Sequence, residues 1–161
     1  MSRFESGKIQ LSKEDFDLVE LVKEVIEEKR LTFESHTISL HPCEATMINA
    51  DKDKIGSVIS NFLSNAVKYS PPDKTIDVHC ERLNDEIHFN VKDEGRGIEP
   101  NDLSRLFERY YRVQSRDTKY ISGFAIGLYL SAEIIKRHKG QIWAESEVGK
   151  GSTFHFKLPV Q

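Results

Sequence analysis

Two runs of the chain, TIDVHCERL (75–83) and DEIHFNVKD (85–93), alternate apolar and polar side chains and flank Asn84-Asp85. Alternation with a period of two turns every second side chain to the same face, so each run reads as a strand with one buried and one wet side. The pair marks a hairpin, although the glycine usual in such a turn is missing. A hairpin of this kind must have one face covered. Three amphipathic helical patterns are available for the purpose.

The first spans about 17–31, where Phe16, Leu18, Val19, Leu21, Val22, Val25 and Ile26 recur at helical spacing and Asp15 or Asp17 can cap the N-terminus. The second spans about 52–69 on Ile55, Ile59, Phe62 and Ala66, and stops before Pro71-Pro72. The third begins near Ile126, carries Leu128, Ala132 and Ile135, and ends in Lys136, Arg137, His138 and Lys139 before Gly140. Basic residues at the last turn with glycine after it are a common helix stop. Extended pieces are expected near 36–41 and 46–49, and QIWAESE and STFHFKLPV alternate as strands joined by the VGKG turn. Residues 100–125 lack a sustained period and read as a long functional loop. The expected class is α+β, a two-layer α/β sandwich whose mixed, mostly antiparallel sheet is covered on one face by about three helices.

At 161 residues with 38% hydrophobic and 30% charged side chains, the chain suffices for one domain with a proper core. A net charge of -3 leaves no electrostatic footprint for nucleic acid, which is excluded as a partner. No apolar run approaches the roughly 20 residues that span a bilayer. Cys43 and Cys80 stand far apart in sequence and read as free thiols in a reducing cytoplasm.

Some polar residues are not explained by this architecture. Asn61, Asn65 and Lys68 fall at i, i+4 and i+7 on the second helix, opposite its apolar stripe and with Tyr69 beside them. They form either a solvated face or a site in which amide oxygens meet Mg²⁺ and the ammonium meets phosphate. In VKDEGRGIEP, Asp93 ends a strand and is followed by Gly95 and Gly97. This is either an ordinary turn or a carboxylate acceptor placed where backbone can approach a flat ligand. SGFAIGLYL, at the start of the third helix, is either punctuation or a turn whose N–H groups can meet a phosphate.

Taken together, NFLSNAVKYS resembles the N box of sensor histidine kinases, DEGRGI the G1 box, LFERYYRV the F box, SGFAIGL the G2 box and GKGSTF the final glycine turn. The motifs occur in that order over roughly residues 50–156. The resemblance implies an ATP-binding catalytic domain of the Bergerat fold, with ATP and Mg²⁺ as ligands. It implies Asn61 as the metal ligand, Asn65 as a ligand of phosphate and metal shell, and Lys68 and Tyr69 as nucleotide contacts. Asp93 resembles the adenine-reading carboxylate, with Gly95, Gly97 and Ile98 around it. Phe107 resembles a lid anchor, Arg109 and Arg112 phosphate-side cations, Gly123 and Gly127 lid hinges with Ala125, Ile126 and Leu128 between and after them, and Thr153 a contact under the adenine.

The resemblance further implies that residues 1–15 end a dimerisation helix and linker, and that 16–161 form the catalytic domain. The phosphoacceptor histidine would lie on a dimerisation domain of the same kinase, with a response regulator downstream. None of the chain's six histidines has an acceptor-like context, and each reads as a surface or strand residue. The isolated chain is expected to be a monomer in the cytoplasm, the full protein being open to an inner-membrane anchor. Two alternatives stand beside this reading. Ser57 occupies the place of the water-activating glutamate of gyrase-like and chaperone-like ATPases, which disfavours a hydrolase. Ala125 stands where the family carries glycine, which would suit a nucleotide-binding scaffold of impaired activity.

Overall fold

The computed structural model describes residues 10–34, 36–108 and 124–160, the stretch 124–127 as backbone only. In chain order the elements are β1 (Glu14–Asp17), α1 (Leu18–Thr32), β2 (Thr37–Leu40), β3 (Met47–Ala50), α2 (Lys52–Tyr69), β4 (Thr75–Leu83), β5 (Glu86–Asp93), α3 (Pro100–Leu103), α4 (Phe124–Arg137), β6 (Gln141–Glu147) and β7 (Gly151–Pro159). The main sheet has the order β2-β4-β5-β7-β6, with β2 parallel to β4 and every other pairing antiparallel. A separate two-stranded ribbon joins β1 to β3. The expected α+β sandwich is the observed architecture, with α1, α2 and α4 on one face of the sheet.

The hairpin forms as expected, closed by Leu83 opposite Glu86. Asn84 takes the left-handed backbone (φ 56°) that glycine would otherwise supply, which asparagine tolerates better than most residues. Inward-facing Ile76, Val78, Ile87, Phe89 and Val91 are buried, as are Phe154, Phe156 and Leu158 of β7. Phe62 of α2, 1% exposed, meets Phe154 edge-on at 5.5 Å and lies 6.3 Å from Phe89, so one ring of α2 nails the helix layer to the sheet.

Both long helices on the N-terminal side are capped by aspartates. Asp17 Oδ1 accepts from the N–H of Val19 (2.9 Å) and of Thr46 (3.0 Å), so one cap starts α1 and also fixes the entry to β3. Asp51 accepts from the N–H of Lys54 at 3.2 Å and of Ser12 at 2.9 Å. Residues just before β1 are therefore held against α2, where the sequence suggested only a linker. The extended piece expected near 46–49 is β3, whereas its partner β1 was not expected, since four residues are too few for alternation to register.

Cys43 and Cys80 are free thiols as expected, and although distant in sequence they are in side-chain hydrogen-bond contact; burial pushes Cys80 up to about 12. One sequence expectation needs correction. His138 is not a surface residue. It is 5% exposed, its Nδ1 donates to the Ile134 carbonyl (2.7 Å), and its Nε2 accepts from the Asp51 N–H (3.0 Å). That pair of bonds fixes a neutral tautomer and ties the end of α4 to the start of α2. Among the described residues, no helix is long and apolar enough to cross a membrane.

Candidate functional site

A narrow crevice opens between the C-terminal half of α2 and the ends of β5 and β7. It is tight, with no water-sized space inside, and is lined by Phe62, Asn65, Ala66, Tyr69, Val91, Asp93, Ile98, Ser152 and Phe154. Its walls are mostly apolar and flat, and its chemistry is concentrated in one carboxylate.

Asp93 closes β5 and is 4% exposed. Its Oδ1 accepts from the Gly95 N–H at 2.9 Å and the Ser152 N–H at 3.3 Å. No described residue donates to Oδ2. Burial pushes the carboxyl up to about 6, the two backbone N–H donors pulling less strongly the other way. A carboxylate oxygen with no described protein donor, in a mostly apolar slot, suits an aromatic ligand that brings its own N–H donor.

The glycines after Asp93 are required by packing. A Cβ at Gly95 would stand 2.0 Å from the Tyr69 carbonyl oxygen, so this turn lies directly on the C-terminus of α2. Gly97 has φ 77°, and a Cβ there would stand 2.3 Å from the Glu147 carbonyl oxygen. The same turn is latched to the β6–β7 turn by the Gly149 N–H donating to the Arg96 carbonyl at 2.8 Å. Ile98, 4% exposed, is then held in the crevice wall. The Arg96 guanidinium lies 5.8 Å from the centre of the Tyr69 ring, and burial holds the Tyr69 hydroxyl above its ordinary pKa.

The α2 residues divide. Asn65 is 6% exposed and lies in the crevice between Phe62 and Tyr69, so it borders the apolar stripe where the sequence placed it opposite. Four residues are slightly more than one helical turn, and the drift carries Asn65 toward the sheet. Asn61, one turn before Asn65 on α2, is half-buried and does not line the crevice, and its Nδ2 donates to Ser131 Oγ of α4 at 3.2 Å. That bond orients the amide with its oxygen at the other end. Lys68 is exposed.

Of the remaining candidates, Phe107 is half-buried against the core and Leu128 is fully buried. Arg109, Arg112 and Gly123 lie outside the described residues, while Ala125, Ile126 and Gly127 fall in the first turn of α4. Thr153 does not line the crevice. It is on the row of β7 that faces away from the helices, and Ser152, one position earlier, is the lining residue. The signal was present in the sequence: counting back by two from Phe156 and Phe154 lands on Ser152.

The donor set fits an adenine nucleotide with a hard cation. The carboxylate oxygen without a described protein donor can accept from an exocyclic amine, and the aromatic and aliphatic side chains lining the crevice can pack on a purine ring. A single amide oxygen, that of Asn61, is consistent with Mg²⁺, which commonly takes one or two protein ligands and completes its shell with phosphate and water.

Comparison with known proteins agrees. Residues 50–161 match the family described as histidine kinase-, DNA gyrase B-, and HSP90-like ATPase. The chain is 34% identical to the sensor histidine kinase WalK of Bacillus subtilis over 100% of its own length and 27% of that protein. It is 37% identical to the adaptive-response sensory kinase SasA of Thermosynechococcus vestitus over 99% of its length and 42% of that protein. It therefore spans less than half of either relative. The solved structure of a mycobacterial sensor histidine kinase, MprB, superposes with a TM-score of 0.81 at 22% identity, covering 93% of this chain and 99% of that one, a likeness of fold. Crevice, carboxylate, glycine turn and family match converge: the chain belongs to the histidine kinase-, DNA gyrase B- and HSP90-like ATPases, and is similar within them to the ATP-binding catalytic domains of sensor histidine kinases.

Proposed function

We propose that this chain binds ATP with Mg²⁺ and delivers the γ-phosphoryl group to a histidine on a separate dimerisation domain, from which a response regulator is served. The observation that carries the reading is Asp93, a buried carboxylate with one oxygen held by backbone N–H groups and the other turned to a flat apolar crevice. Asp93 accepts from the adenine amine. Gly95 and Gly97 let backbone close on the ring, and Ile98 packs against it. Asn65, Lys68 and Tyr69 continue the site toward the phosphates, and the Asn61 amide oxygen holds the metal. Arg109 and Arg112 neutralise phosphate charge, and the segment from Gly123 to Gly127 covers it. Bound ATP with its cation supplies the transferable group, for which positioning and charge stabilisation matter more than covalent help from the protein.

The acceptor comes from elsewhere. His138 has both ring nitrogens engaged between helix ends, and His155 of the sheet bonds His88 at 2.8 Å and stacks on Trp143 at 4.8 Å. The residues before Ser12 then lead toward the acceptor domain, Ser12 and β1 being already held by the catalytic domain. The hydrolase alternative finds no support at Ser57, which is exposed on α2 and donates to the Lys54 carbonyl.

Calorimetric titration with ATP, ADP and guanine nucleotides tests the reading. Asp93→Asn should weaken adenine nucleotides by about 1 to 3 kcal/mol through loss of a buried acceptor. Equal affinity in the variant, or no preference for adenine over guanine in the native chain, would count against it.

A further inference from the structure

Packing does not account for a pair of serines at the end of the β6–β7 hairpin. Ser146 Oγ stands where three segments meet: it accepts from the Ile98 N–H at 2.7 Å, donates to the Gly151 carbonyl at 3.0 Å, and lies 2.9 Å from Ser152 Oγ. A serine hydroxyl has one proton and two acceptor lone pairs. Its proton is committed to Gly151 and one lone pair to Ile98. The contact with Ser152 is then a hydrogen bond only if Ser152 donates it. Ser152 is 5% exposed, lines the crevice beside Asp93, and gives its backbone N–H to Asp93 Oδ1. With its own proton spent on Ser146, the Ser152 hydroxyl presents only a lone pair to the crevice.

We propose that Ser146 is a positioning residue for base selection: by taking the Ser152 proton it makes the Asp93–Ser152 corner an all-acceptor surface, which admits an exocyclic amine and rejects a ring carbonyl. The inference rests on the adenine-nucleotide reading and deepens it. A 6-amino purine brings two N–H donors to that corner, whereas a 6-oxo purine brings lone pairs against a carboxylate and a hydroxyl oxygen. If the Ser146 proton went to Ser152 instead, the Gly151 carbonyl would lose this donor and Ser152 could turn its own proton toward a carbonyl. Ser146 touches no ligand. It acts through the direction of one hydroxyl.

ADP and inosine diphosphate, which carries a carbonyl in place of the 6-amino group, make the test. Both are titrated into the native chain, Ser146→Ala, Ser146→Thr, Ser152→Ala and the double alanine variant, with a thermal melt confirming that each is folded. Ser146→Ala should weaken ADP about two- to tenfold, the range for one hydrogen bond, and leave inosine diphosphate unchanged or tighter, so that selectivity falls. Ser146→Thr, which keeps the hydroxyl, should keep the selectivity. In the Ser152→Ala background, Ser146→Ala should no longer alter the ratio. Should Ser146→Ala fail to fold, Ser146→Cys, of similar shape but a weak donor and acceptor, replaces it with the same expectation. Equal weakening of both ligands, or a loss of selectivity that is undiminished without Ser152, would overturn the inference while leaving the adenine reading intact. A native chain that does not prefer ADP to inosine diphosphate would overturn both.

Discussion

Asp93 shows the cost that a binding site places on its own fold. Its carboxyl is raised by burial to about 6, against 3.8 for the exposed group, so the folded chain favours the protonated form. The associated stability is fully present below pH 4 and is lost as pH rises through about 6, the loss reaching about 3 kcal/mol at neutrality. Asp93→Asn should therefore raise the melting temperature of the ligand-free chain at pH 7.5 and leave it nearly unchanged near pH 4. An amine donating to Asp93 favours the carboxylate, so binding releases a proton and ADP affinity should rise from pH 5 to pH 7. Titration in two buffers of different ionisation enthalpy measures that proton, and its absence would remove Asp93 from the contact. Cys80 gives a simpler expectation. A buried thiol raised to about 12 has almost no thiolate at pH 8, so it should resist alkylation in the folded chain and react readily in denaturant.

At the level of elements, α2 is fixed at both ends by residues far away in sequence. Its start receives His138 from α4, and its end lies under the Gly95 turn. Burial lowers the His138 pKa, with Asp51 opposing and Lys13 and Lys54 assisting. A lowered histidine favours folding in its neutral form, so its contribution is whole above pH 6.5 and is lost as pH falls below it. His138→Gln should flatten part of the acid limb of stability between pH 6.5 and 5, as followed by circular dichroism. Gly95→Ala should be worse than an ordinary loop substitution, because backbone and not a flexible side chain occupies the space of the added methyl. Residue 125 is helical, where alanine is unstrained and glycine costs about 1 kcal/mol, so the alanine in the glycine box brings no backbone strain. The scaffold alternative keeps only the route by which a methyl hinders approach to a γ-phosphate. On that route Ala125→Gly should tighten ATP about three- to tenfold and leave ADP unchanged; no change for either nucleotide would make Ala125 a tolerated residue.

For the whole molecule, the helices cover one face of the five-stranded sheet and the crevice opens at the end where β5 and β7 meet α2. On the proposed reading, donor and acceptor of the phosphoryl group belong to different bodies. The chain alone should not label itself with radioactive ATP, and it should phosphorylate a cognate dimerisation domain added in trans. Acid-labile label on this chain alone would place the acceptor among its own histidines.

The sequence by itself determined the three long helices and the long strands, because an apolar side chain repeating at 3.6 or 2 residues has only one way to bury itself, whereas the four-residue α3 falls in a stretch that read as loop. It marked Asp93 and its glycines as either a turn or an acceptor, and the motif resemblance favoured the acceptor. What the tertiary structure alone decided was every relation across the chain. It put Ser152 in the crevice and Thr153 outside it, brought Cys43 to Cys80, and made His138 a link between helix ends. It drew the segment before β1 onto Asp51 and gave Ser146 its three partners. Those contacts join residues tens of positions apart, and their existence depends on the register and stacking of whole elements, which no local period encodes.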